Sequence, residues 1–110
     1  MVQDTIEKIE RKIRTNNSLA LKNKTELLEL IAILKPEITE LSKAQVEHAE
    51  SIAGFIERST HEAMRQEKNP TLLKFAVDGL SASVKGFEVS HPKLTENVNY
   101  IINALSNMGI

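Results

Sequence analysis

From Leu27 onward the apolar positions recur at alternating spacings of four and three: Leu27, Ile31, Leu34, Ile38, Leu41, then Ile52 and Phe55. That alternation is the a/d seam of a packed helix. Gln45 and His48 fill the two slots where the apolar residues are missing. The pattern predicts one long central helix over 24–66, opened by Asn23 with Glu26 and kinked near Pro36, which has no donor and crowds the carbonyl of Ala32. Leu28, Leu30 and Ile33 make its first half apolar on more than one face, so that half should be covered from several sides. Between Glu57 and Lys68 only Ala63 and Met64 are apolar, so that end should be solvated or project.

The remaining segments read as cover for this seam. Asp4 with Glu7 suggests the start of a first helix over 3–15, whose narrow stripe of Ile6, Ile9 and Ile13 must dock to be stable. Thr15-Asn16-Asn17-Ser18 competes for helical hydrogen bonds and ends it. Leu19 and Leu21 should pin the connection to the core. Asn69-Pro70 places Asn at an N-cap and Pro at the first helical position of a helix over 70–88. Its seam is Leu73, Val77, Leu80, Val84 and Phe87, with a row of small residues beside it, Gly79, Ala82 and Gly86.

A fourth helix over 92–108 carries Leu94, Val98, Ile101, Leu105 and Met108. Ser90, His91 and Pro92 form the corner before it, because proline disfavours helical dihedrals at His91. Ser90 is a possible cap there, with Val89 and Leu94 as a hydrophobic staple. The third and fourth seams share one phase, so 70–108 also reads as a single kinked helix pairing with 24–66 in a long hairpin, plus the short N-terminal helix. Gly86, Val89, Ser90 and Pro92 favour the break. At the chain end Gly109 suits a left-handed C-terminal turn that folds Ile110 back onto Leu105.

The expected fold is therefore all-α: a four-helix, coiled-coil-like antiparallel bundle in one domain over 1–110. Aromatics are only 4% of the chain, so its core must be aliphatic. A long thin bundle of 110 residues buries little surface, which points to a homo-oligomer, with a dimer favoured.

Charge changes this picture only locally. The formal net charge is -1, with no general pull toward nucleic acid or membrane. Residues 1–24 hold six basic side chains against three acids, whereas 25–67 hold nine acids against four bases. The basic first helix should lie against the acidic second. The absence of cysteine excludes disulfides and thiol chemistry, and with no apolar leader a cytoplasmic location is expected.

Candidate chemistry is sparse. Glu88 and His91 have the Glu-x-x-His spacing of di-iron bundles, but the motif occurs once and straddles a proline. Ser59 with His61 and Ser90 with His91 are too close in sequence to read as a hydrolase pair. The glycines are isolated, so no phosphate-cradling loop is present. No catalytic, cofactor or metal residue is assigned. Gln45 and His48 are the more informative pair: buried, they would set register and partner orientation; otherwise the seam is wet there. Gly79, Ala82 and Gly86 would admit a close helix–helix approach; otherwise mid-helix glycine only weakens a helix.

Phe87-Glu88-Val89-Ser90-His91-Pro92-Lys93-Leu94 and the ending Ala104-Leu105-Ser106-Asn107-Met108-Gly109-Ile110 resemble a family of short bacterial helical proteins of unknown function. Its members carry a Phe-Glu-x-Ser-His-Pro-x-Leu segment and an Ala-Leu-x-x-Met-Gly-Ile tail. The resemblance covers about the last quarter well, and the central helix here is longer than in typical members. It implies no activity. The expected role is a non-enzymatic interaction protein that self-associates through its seams, with room for an unidentified protein partner. The alternative is a small-ligand or metal-binding bundle using His48 and its neighbours.

Overall fold

The computed structural model describes residues 1–108. Gly109 and Ile110, and with them the expected tail geometry, lie outside the described residues. Five helices make up the described part: α1 (Val2–Thr15), α2 (Leu21–Ala44), α3 (Val46–Ala63), α4 (Pro70–Ser83) and α5 (Pro92–Met108). The all-α expectation holds, with five helices in place of four.

The extra helix comes from a break at Gln45, not from Pro36. Pro36 lies inside α2. The carbonyl it leaves without a helical partner belongs to Ala32, and both residues are exposed, so water can satisfy it. Gln45 has φ -137° and ψ 72°, outside the helical region. Its N–H still donates to the Leu41 carbonyl at 2.9 Å, and its carbonyl accepts from the Ala49 N–H at 3.0 Å. One residue thus ends α2 and begins α3. A straight helix over 24–66 would run about 64 Å at 1.5 Å per residue. The molecule measures 37 × 25 × 20 Å, so the chain folds back there.

The buried faces change phase at this corner. In α2 they are Leu27, Ile31, Leu34, Ile38 and Leu41, the expected seam. In α3 they are Ala49, Ile52, Ala53, Ile56, Ser59, Thr60, Glu62 and Ala63. The expectation that this end is solvated is corrected, because α4 packs back along α3 and covers it. Glu62 is buried there because Arg65 holds its carboxylate at 2.9 Å and Arg58 approaches at 3.6 Å.

α2 touches α3 and α5, α4 touches α3 and α5, and α1 rests on α2 and α3. Ile6, Ile9 and Ile13 of α1 are fully buried. Each supplies roughly 1.5–3 kcal/mol of burial that the isolated helix lacks. Two polar clamps fix the outer helices to α2. The Lys35 ammonium pairs with the buried Glu10 carboxylate of α1 at 3.1 Å. The Asn97 side-chain amide of α5 donates to the Leu30 carbonyl at 3.1 Å. The resulting core is one cluster drawing on all five helices, with a radius of gyration of 12.9 Å. The long thin shape that motivated oligomerisation is therefore not adopted.

Several local details differ from the pattern. Leu21 is exposed, and Leu19 alone packs against the core from that connection. The connection itself is an Asx turn, with the Asn16 carboxamide accepting from the Ser18 and Leu19 N–H groups at 2.8 and 3.0 Å. Asn69 caps α4 as expected, its side chain accepting from the Leu72 N–H at 3.1 Å. α4 ends at Ser83, not 88, and residues 84–91 are non-helical, which removes the single-helix alternative for 70–108. α5 spans the expected residues. Val89 is 94% exposed, so no staple to Leu94 forms.

Candidate functional site

The side chains singled out for interaction largely gather on the outer side of the α3–α4 pair. His48, Ser51 and Phe55 follow one another at helical spacing along α3. Opposite them stand Gly79, Ala82 and Ser83 of α4, and the turn Lys85-Gly86-Phe87 closes one end. Together they line an open groove of about 430 Å³.

Gly79 is the point of closest approach. A methyl group built there would crowd Phe55 Cε1 most and lie 2.8 Å from Cδ1, inside contact distance. The sequence pattern predicts a close helix–helix approach along this row; what lies close to Gly79 is the Phe55 side-chain ring of α3. Ala82 is exposed in the groove wall. Gly86 is no part of a helical row. It sits past the end of α4 with φ +94°, where an L side chain is strained, and its N–H donates to Glu88 Oε2 at 2.9 Å.

The corner is built around Phe87, the one aromatic side chain that is buried. The His48 ring meets its edge at a centroid distance of 5.5 Å and an angle of 74°. The His91 ring also makes a T-shaped contact with Phe87, at 5.8 Å and 79°. The His91 N–H donates to the Phe87 carbonyl at 2.8 Å, and the Ser90 hydroxyl lies 3.0 Å from His91 Nδ1. The His91 carbonyl accepts the Thr95 N–H at 3.1 Å, so His91, not Ser90, precedes the first turn that Pro92 opens.

Gln45 and His48 are both exposed. Gln45 belongs to the α2–α3 corner, while His48 belongs to the groove. Ser59 is buried and His61 exposed, and the Ser59 hydroxyl has no hydrogen-bond partner among the described residues. Among the described residues no three His, Cys, Asp or Glu side chains come together as a metal-binding group. No helix among them is long and apolar enough to cross a membrane.

Sequence reasoning missed Ser51, Ser83 and Lys85 as groove residues and placed the exposed Phe55 in a core seam. The available signal was the spacing of His48, Ser51 and Phe55 on one face of α3. Chemically, the groove offers aromatic surface, one imidazole, two hydroxyls and one ammonium. The model of a family described as Domain of unknown function (DUF4404) matches residues 24–110. No curated protein and no solved structure matches the chain.

Proposed function

The chain belongs to the DUF4404 family, whose description assigns no activity, and on that premise we propose that it is a non-enzymatic helical interaction protein that self-associates. The aliphatic seams are spent inside one chain, so the contact surface is the α3–α4 groove. The observation that carries this reading is where the aromatics lie. On the α3–α4 face Phe75 is 65% exposed and Phe55 is exposed as well. Aromatic residues are enriched in protein interfaces.

Phe75 lies on the same stripe of α4 as Gly79 and Ala82, one turn before the groove. A projecting ring and a receiving groove on one face make that face self-complementary under a two-fold axis, which favours a dimer. Sedimentation equilibrium across micromolar concentrations should give more than one chain per particle. Phe75→Glu should reduce this to one chain without loss of helix content. A parent chain that stays strictly monomeric at high concentration overturns the proposal.

A second reading is supported by the groove's size and polar end. About 430 Å³ falls within the roughly 300–1,000 Å³ of small-ligand sites, and His48 and Lys85 could orient a ligand there. A metal is the weaker form of this alternative, because His48 is the only strong ligand in the lining.

A further inference from the structure

A second concave surface lies on the other side of α3, against α1. Lys8 and Lys12 stand four apart on α1, and Gly54, Glu57, Arg58 and His61 lie along the facing side of α3. These six line a cleft of about 320 Å³. Lys8 Nζ is 3.2 Å and Lys12 Nζ 3.8 Å from the same oxygen, Glu57 Oε2. Both ammonium groups thus converge on one point, held by a single carboxylate.

Arg58 adds a third cation to this cleft. Its guanidinium is 3.6 Å from Glu62, but Arg65 already holds that carboxylate at 2.9 Å, and the Arg58 side chain is largely exposed. Its remaining N–H donors are free for another acceptor. The lining therefore carries three full positive charges against one negative, with His61 beside them, on a chain whose formal net charge is -1. A concave cationic surface on an acidic chain concentrates anions.

Gly54 supplies an independent observation. It is exposed within α3, and a methyl group built there meets nothing within 4 Å. A helix-interior glycine weakens its helix relative to alanine. Gly79 has a steric reason in Phe55, whereas Gly54 has none among the described residues. A glycine in a cleft wall leaves the backbone open to close approach by a ligand.

We propose that the α1–α3 cleft binds the phosphate group of a small phosphorylated ligand. Two ammonium groups, a guanidinium and an imidazole match the several acceptor oxygens of a tetrahedral dianion, with Lys8 and Lys12 keeping the buried Glu57 oxygen paired while their remaining N–H donors turn to the phosphate. α1 lies outside the residues the family model matches, so half of this site is not implied by family membership.

The test is titration of the full chain with inorganic phosphate and with pyrophosphate. The readout is amide shifts in two-dimensional NMR at ionic strength held constant with chloride. The expected result is saturable shifts centred on Gly54, Arg58 and His61. The paired variant Lys8→Gln/Lys12→Gln, and separately Arg58→Gln, should each weaken binding by about tenfold or more, the scale of losing charge-assisted hydrogen bonds. Gly54→Ala should raise the melting temperature while weakening phosphate binding. Flotation with phosphatidylcholine vesicles, with and without phosphatidic acid, separates a lipid headgroup from a free phosphate. Binding that requires phosphatidic acid and is lost in the lysine variant assigns the phosphate to a lipid. Shifts that do not saturate, or that persist unchanged in both charge variants, overturn the proposal. A Gly54→Ala chain that is stabilised yet binds phosphate as the parent does overturns the reading of that glycine.

Discussion

Replacing Gly79 by Ala sets two effects of known sign against each other. Helix propensity favours alanine by about 1 kcal/mol in a helix interior. Gly79 lies within α4, so that gain is available. Against it, the new methyl would sit 2.8 Å from Phe55 Cδ1, whereas carbon atoms settle at roughly 3.5–4.0 Å. The backbone of α3 need not move, because Phe55 is already 39% exposed and its ring can swing outward. The loss is then the ring's packing on α4. Exposing about 40 Å² more of apolar ring gives roughly 1 kcal/mol at 25 cal/mol per Å². In the parent chain the two effects nearly cancel, and Gly79→Ala should leave stability almost unchanged. In a Phe55→Ala chain only the propensity gain remains, so the same substitution should stabilise by about 1 kcal/mol. Urea unfolding followed by far-ultraviolet circular dichroism on all four chains closes the double-mutant cycle. A coupling of about 1 kcal/mol is expected, well above the roughly 0.3–0.5 kcal/mol of non-additivity between independent sites. Equal stabilisation in both backgrounds would show that Phe55 does not rest on Gly79.

Two further outcomes follow from the same region. Gly86→Ala should lower stability by more than about 1 kcal/mol, because φ +94° suits glycine and no new packing is available there; a melting curve matching the parent refutes that conformation. Ala82→Leu should leave the melting temperature unchanged or slightly raised, since Ala82 is exposed, but it should fill the groove wall and weaken self-association in sedimentation; a large loss of stability would mean that a neighbouring helix packs there.

Local chemistry determined much of the helical layout. Asn69-Pro70 starts α4 because the Asn side chain satisfies a free N–H and proline needs none there. Pro92 opens α5, and the stripe from Leu94 to Leu105 is buried as its period requires. The isoleucines of α1 and the α2 seam as far as Leu41 were equally legible, because each depends only on a period within one segment. The α2–α3 corner depended on the whole fold. Lys43-Ala44-Gln45-Val46-Glu47 holds no glycine or proline, and nothing local forbids helix. Folding back lets α3 as well as α2 cover α1 and lets α4 and α5 complete the ring, a gain spread over the whole core. Its faint local trace is polar residues in two successive seam slots, with buried positions resuming at Ala49 and Ile56 in place of His48 and Phe55. That one-residue shift turns His48 and Phe55 outward, and only the return of α4 along α3 sets Gly79 and Phe87 against them. The groove therefore joins segments some thirty residues apart in sequence, and the α1–α3 cleft joins segments nearly fifty apart. Periodicity identifies each face, but only packing of the faces decides which two of them meet.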